Sequence, residues 1–326
     1  MGQRGLLIGL LISSGVAFFW PDGAGANPFT ASAPWLGTLI AATMFAVGCL
    51  LPVEEMRQVG RRWPMVIVGT ALQYTSMPAL AYVIGTAFQF EAGIMAGVIL
   101  VGCVPGAMAS NVLTLLARGN TSYSVCLTTL ATLLSPLAVP LALWLTLDAR
   151  HEINFVQTAF TLLWQVVLPV IGGYALCRLS LRLRRWAEVV SPWVANFTIL
   201  WIIATVVALN RSRLPETNLS IVGALLLING LGYVAGWLGG RALRLDEPMR
   251  RALTLEVGMQ NCGLGTTLAL ALFPGTSAAI PTAIYTFGCM FTGTLLAVWW
   301  STRPVQAIAG SVAADNTGLA IKSLVS

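Results

Sequence analysis

Glu256 is the one carboxylate among twelve that lies well inside an apolar run; the others, among them Glu188, Asp246 and Glu247, fall in polar stretches, at the ends of apolar runs or in the C-terminal tail. A carboxylate removed from water needs a partner, and within a membrane it marks a functional site by default. No arginine or lysine falls in the interior of an apolar run, which leaves a proton or a bound cation as the partner. Uncharged oxygens recur at matching depth. Gln260 follows one helical turn later, Gln73 lies in an earlier apolar run, Ser110 and Asn111 follow a Gly/Pro-rich break, and Ser124 and Thr128 share one helix face at i,i+4 spacing. Oxygen ligands of this kind suit hard cations. The alternative is a set of core hydroxyls bonded only to helix carbonyls.

Two interrupted apolar segments carry most of these groups. VGCVPGAMASNVLTLLA begins at Val101 and VGMQNCGLGTTLALALF at Val257, 156 residues later. Unwinding a helix in hydrocarbon frees amides and carbonyls that cost several kcal/mol apiece if unpaired, so such breaks persist only against protein, water or a ligand. Freed amides at a half-helix N-terminus suit an anion, and freed carbonyls suit a cation. Paired breaks at corresponding places in two halves of a chain point to a transporter's mid-membrane site; glycines that merely let helices pack closely are the structural alternative.

The elements that must position these residues are apolar helices. The chain is 57% hydrophobic and only 9% charged, against roughly 25% charged in a soluble domain. Runs near 4–20, 35–51, 63–86, 92–117, 121–146, 153–177, 192–210, 219–243, 250–273 and 278–300 predict about ten transmembrane helices. With those runs removed, fifteen arginines and lysines fall on one side and three on the other, which predicts both termini in the cytoplasm. The net charge of +6 therefore sets orientation and does not imply nucleic acid. Five runs per half is an odd number, so the halves, about 1–147 and 150–303, are expected to be inverted relative to one another within a single transporter domain. Residues 304–326 read as a disordered cytoplasmic tail. The first run could alternatively be a cleaved signal peptide, since Arg4 precedes it and Ala24-Gly25-Ala26 follows.

Six cysteines without a CxxC pair support neither a disulfide framework nor a zinc site. The single histidine, His151, is expected in a loop, and the absence of HExxH, GxSxG or paired membrane carboxylates argues against an enzyme.

EVGMQNCGLG from Glu256 to Gly265, PGAMASNV from Pro105 to Val112, and the following Ala117-Arg118-Gly119-Asn120 resemble the bile acid:sodium symporter family. The resemblance implies an all-α membrane protein of ten helices in two inverted five-helix repeats. A panel of spans one, two, six and seven would face a core of spans three, four, five, eight, nine and ten, with broken spans four and nine crossing. It implies two sodium ions. One would be held by Ser110, Asn111, Ser124, Thr128 and Glu256, the other by Gln73, Gln260 and Glu256 with the backbone carbonyls of Val257 and Met259. Asn261 would contact substrate. The family's bacterial members often have Gly-Gly-Thr where this chain has Gly106-Ala107-Met108, and bile-acid-binding members carry His-Asn where it has Cys289-Met290, so Ala107, Met108 and Met290 are expected to set substrate preference.

The expected function is sodium-coupled uptake of a small organic anion, a monocarboxylate such as pantoate or pyruvate or a bile-acid-like anion, across a bacterial inner membrane, with no obligate protein partner. Arsenite export through Cys103 and Cys262, as in a sister family, and proton coupling are the alternatives.

Overall fold

The computed structural model describes residues 3–21, 27–51, 53–147, 154–209, 211–212 and 218–303. His151 and the tail 304–326 lie outside these residues. The described elements are helical: α1 (Gln3–Phe18), α2 (Pro28–Ala31), α3 (Leu36–Leu50), α4 (Val53–Ala87), α5 (Ala92–Cys103), α6 (Ala109–Leu116) and α7 (Thr121–Thr146). Then follow α8 (Phe155–Leu162), a π-helical turn (Leu163–Val167), α9 (Leu168–Leu179), α10 (Leu181–Leu209), α11 (Leu219–Ala242), α12 (Glu247–Gly258), α13 (Cys262–Leu272) and α14 (Ala279–Ser301).

Among the described residues, seven helical stretches are long and apolar enough to cross a bilayer uninterrupted, against the ten spans expected. The difference has a simple origin. The first run forms a helix of 16 residues, and the fourth and ninth are each divided by a break, into α5 with α6 and α12 with α13, whose pieces have 12 residues at most. A bilayer core needs about 20 residues of unbroken helix. Two helices begin earlier than hydropathy indicates, α4 at Val53 and α10 at Leu181. Their first turns are too polar to register as apolar runs, yet helix propensity is insensitive to that. In α10, Arg184 and Glu188 pair at 3.0 Å on successive turns, both half exposed, an arrangement worth about 0.5 kcal/mol at most.

Asparagines and one aspartate cap several of the helices. Asn120 accepts the Tyr123 amide at the start of α7, Asn154 that of Gln157 at α8, and Asp246 that of Met249 at α12, each satisfying one orphan N–H of a first turn. The π-helical turn ends at Val167, two residues before Pro169. Proline has no N–H and its ring displaces the preceding turn, which widens there.

α3 packs against α9 and α10, and α10 packs in turn against α1. At the α3–α9 crossing, Gly48 lies against the Val170 carbonyl and Gly173 against that of Phe45, so a Cβ at either position would collide with backbone. The small residues set the distance between the helices. On the other side, α4 packs on α5, α7 and α11, and α11 on α12 and α14, around a core that includes Met77, Leu127, Leu253 and Tyr285.

Gly173→Val should therefore lower the thermal midpoint of the detergent-solubilised protein by an amount equivalent to about 1–3 kcal/mol. Gly223→Ala, where a Cβ would meet nothing within 4 Å, should cause no loss.

Candidate functional site

The site begins with two places where the helical ladder stops. Val104, preceding Pro105, is extended (φ −73°, ψ 155°), the conformation a following proline imposes. Met259 is likewise extended (φ −113°, ψ 109°). The two unwound segments run antiparallel and pair: Ala107 N–H donates to Met259 O at 2.8 Å and Asn261 N–H to Pro105 O at 2.8 Å, closing a bridge between Gly106 and Gln260. Each break thus satisfies backbone groups of the other. A further carbonyl, that of Gly258, accepts from Tyr285 Oη at 2.8 Å and Asn229 Nδ2 at 2.7 Å. Asn229 is a lone amide in the apolar run of α11; this isolation was a signal for its role in supporting the break.

Glu256, 1% exposed, sits in the last turn of α12 beside this crossing. Ser110 Oγ, in the first turn of α6, donates to Glu256 Oε2 at 2.5 Å. Glu256 Oε1 lies against Gly106, where any Cβ would strike it. Gln73 Nε2 donates to Gln260 Oε1 at 3.2 Å, and Gln260 Nε2 donates to Val257 O at 2.8 Å. Nearby, Thr128 Oγ1 reaches Asn111 Oδ1 at 3.3 Å and Ser124 O at 3.0 Å, and Thr114 Oγ1 donates to Ser124 Oγ at 3.2 Å. Two buried oxygens, Glu256 Oε1 and Gln73 Oε1, accept no hydrogen bond from the protein. Buried acceptors left in this state are costly. The Val257 and Met259 carbonyls accept one bond each, from Gln260 and Ala107, so each retains a second lone pair. One carboxylate surrounded by neutral oxygens fits a hard cation of low charge. Among the described residues no three His, Cys, Asp or Glu side chains cluster as a site for a more highly charged metal.

A cavity of about 370 Å³ lies between these breaks and the helices α3 and α10. Ala107, Met108, Asn261 and Met290 line one side of it, and Met44, Val47 and Asn196 line the other. Asn111, Thr128, Met108 and Asn261 also share a smaller void, so the oxygen cluster and the cavity have a common wall. Among the described residues no arginine, lysine or histidine lines the cavity. Its hydroxyls are engaged, since Thr43 donates to Leu39 O and Thr286 to Thr282 O. The amides differ. Asn261 uses Oδ1 to cap α13 through the Leu264 amide at 3.2 Å, which turns Nδ2 to other use. Sequence reasoning passed over Asn196 and the α3 residues because no helix break adjoins them; Asn196, an amide in an apolar run, was the available signal. Cys262 and Cys289 reach the cavity, whereas Cys103 is buried at the end of α5 outside its lining.

In the sequence Glu247 and Arg251 stand at the end of an apolar run. In the fold Arg251 is fully buried and forms an ion pair with Glu247, one turn earlier in α12. Its Nη1 also donates to Ala117 O, at the end of α6, at 2.8 Å and to Trp300 O, at the end of α14, at 3.2 Å. One guanidinium therefore ties the termini of three helices. Gly102, Gly106 and Gly258 allow close approach of Met77 O, the Glu256 carboxylate and the Tyr233 ring respectively, whereas a Cβ at Gly263 would meet only Asn261 Oδ1 at 3.7 Å.

The sodium bile acid symporter family matches residues 38–216. The chain is 36% identical over 283 residues to the uncharacterized sodium-dependent transporter YocS of Bacillus subtilis, spanning 87% of this chain and 88% of that protein. It is 29% identical to the probable sodium/metabolite cotransporter BASS1, chloroplastic, of Arabidopsis thaliana over 83% of this chain and 68% of the relative. With the rat sodium/bile acid cotransporter 4 the identity is 27%, over 78% and 59% respectively.

Arg251→Ala should destabilise the protein by about 3–5 kcal/mol, because Glu247 is left buried without its partner. The double replacement Glu247→Gln/Arg251→Met should recover much of that loss in the same thermal denaturation measurement.

Proposed function

We propose that the chain, which belongs to the sodium bile acid symporter family, takes up a small organic anion together with two sodium ions by alternating access. The observation that carries this reading is the cavity without a cationic side chain, walled by the oxygen cluster around Glu256. An anion entering such a cavity loses its hydration and meets only neutral donors, an unfavourable exchange unless positive charge arrives with it. Sodium at the cluster supplies that charge. Two ions against one carboxylate leave a local net charge of +1, so each ligand raises the affinity for the other, the reciprocity that coupling requires.

In this reading the first ion takes Ser110, Asn111, Ser124, Thr128 and Glu256. The second takes Glu256, Gln73 and Gln260 with the carbonyls of Val257 and Met259. Glu256 Oε1 and Gln73 Oε1, the two oxygens without a hydrogen bond, support the second set. Asn261 Nδ2 holds the anion, and Ala107, Met108 and Met290 shape the space around its organic part. The volume of about 370 Å³ accommodates a compact monocarboxylate.

The ten-span reading assigns α5 with α6 to one crossing, α12 with α13 to another, and α1 to the first, in inverted halves of about 1–147 and 150–303. The group α1, α3, α8–α9 and α10 is then the panel against which the core rocks. The arginine and lysine distribution favours an inner-membrane protein with both termini cytoplasmic. Inward transfer of each net positive charge gains about 2.3 kcal/mol per 100 mV of membrane potential. The arsenite reading draws on the thiols of Cys103 and Cys262, of which Cys262 lines the cavity and Cys103 does not, and arsenite-dependent growth of an expressing strain distinguishes it.

Glu256→Ala should reduce sodium-driven uptake of labelled pantoate or pyruvate into vesicles to background and remove sodium-induced thermal stabilisation. Glu256→Gln, which keeps an oxygen and loses the charge, should be severely impaired. Normal transport by Glu256→Gln, following pH instead of sodium, would identify a proton-coupled carrier. Met108→Thr should change the ranking of anions in a competition panel by several-fold while leaving the sodium dependence nearly constant; an unchanged ranking would remove Met108 from the anion's surroundings.

A further inference from the structure

A second concave surface lies between α11, α12 and α14, with a volume of about 810 Å³ and no lining residue in common with the cavity at the breaks. We propose that it binds an anionic phospholipid, with the phosphate between Arg250 and Arg303 and the acyl chains along α11 and α14.

Three tryptophans make its floor. Trp237 stacks on Trp300 with ring centroids 5.7 Å apart, and Trp300 meets Trp299 at 6.1 Å. An arginine sits over each end of this row: the Arg250 guanidinium is 4.8 Å from the Trp237 ring and that of Arg303 3.8 Å from Trp299. A guanidinium over an indole is held there by cation–π attraction and has N–H donors that can take a phosphate. Neither arginine forms an ion pair with a carboxylate among the described residues, and Arg250 Nε is buried without a hydrogen-bond partner. The carboxylate in the lining, Glu247, is occupied by Arg251. The groove therefore presents unbalanced positive charge.

Its walls explain why the ligand should be a lipid. Val234 and Leu238 on α11 are 50% and 54% exposed. Phe291, Leu295 and Val298 continue an exposed apolar stripe down α14. These residues recur on one face of each helix and constitute surface that a bilayer would cover. A small soluble anion would satisfy the arginines and leave that surface untouched; a diacyl phosphodiester satisfies both. Zwitterionic lipid carries its own amine, which competes with the arginines for the phosphate. Basic pockets at the membrane-facing ends of spans hold anionic headgroups by this combination of charge and aromatic anchoring.

The test is the thermal midpoint of the detergent-purified full chain titrated with phosphatidylglycerol, phosphatidylethanolamine or soluble glycerol 3-phosphate. Phosphatidylglycerol should raise the midpoint saturably, and the other two should do so weakly or not at all. Arg250→Gln and Arg303→Gln should each weaken the apparent affinity about fivefold, and the corresponding lysine variants, which keep the charge but lose the planar fork, should lose less than the glutamine variants. Should the double glutamine variant fail to fold, Arg303→Gln alone, at an exposed helix end, carries the same expectation. Equal stabilisation by phosphatidylethanolamine, or undiminished phosphatidylglycerol binding by Arg303→Gln, overturns the proposal. An equal effect of glycerol 3-phosphate assigns the groove to free phosphate esters, and an effect of lipid only after deletion of residues 304–326 assigns it to the tail; either result also overturns it.

Discussion

The backbone pairing between the two helix breaks is the constraint around which the other contacts are arranged. In an apolar interior an interrupted helix has amides and carbonyls that water cannot reach, and the hydrogen bonds from Ala107 to Met259 and from Asn261 to Pro105 satisfy four such groups at once. They also fix the distance between α6 and α12, and with it the approach of Ser110 to Glu256. The glycines follow from this requirement. A side chain at Gly106 would occupy the place of the Glu256 carboxylate, and one at Gly258 would displace the Tyr233 ring.

The polar side chains near the crossing form a supporting frame around the breaks. Asn229 and Tyr285 hold the Gly258 carbonyl, Thr292 donates to Asn229 Oδ1 at 2.6 Å, and Asn261 spans from the break to the first turn of α13. Arg251 ties the far end of α12 to the ends of α6 and α14. Glu256 is consequently fixed from both directions along its helix, while the cavity wall formed by α3 and α10 reaches the crossing through side-chain contacts. A site whose ligands are rigid on one side and whose opposite wall is separately packed is suited to exposing the same groups from different directions.

The breaks were legible in the sequence because Gly and Pro in an apolar run contradict the pattern around them, and Glu256 was legible because an isolated carboxylate does the same. The pairing of the breaks with each other was not, since hydrogen bonds between main-chain groups leave no mark on residue type. The burial and pairing of Arg251 and Glu247 were not legible either. Charges at the edge of an apolar run look solvated, and only the packing of α6 and α14 over that edge removes them from water. Hydropathy alone joins α5 to α6 and α12 to α13 across segments where the backbone is extended, so only the Gly and Pro residues within those runs marked them as interrupted.

The reciprocal pairing has a consequence for how the protein is made. Gly106 leaves the ribosome 154 residues before Gln260, an interval of roughly 8–30 s at ordinary elongation rates of about 5–20 residues per second. Throughout that time the amides and carbonyls of the first break lack the partners they have in the fold, although its flanking helices are already apolar enough to leave water. Until α12 and α13 arrive those groups need another partner, whether the segment's own helical ladder, water at the membrane surface or the insertion machinery. Biogenesis therefore has a late committing step, in which completion of the second half allows the first to settle at its final depth.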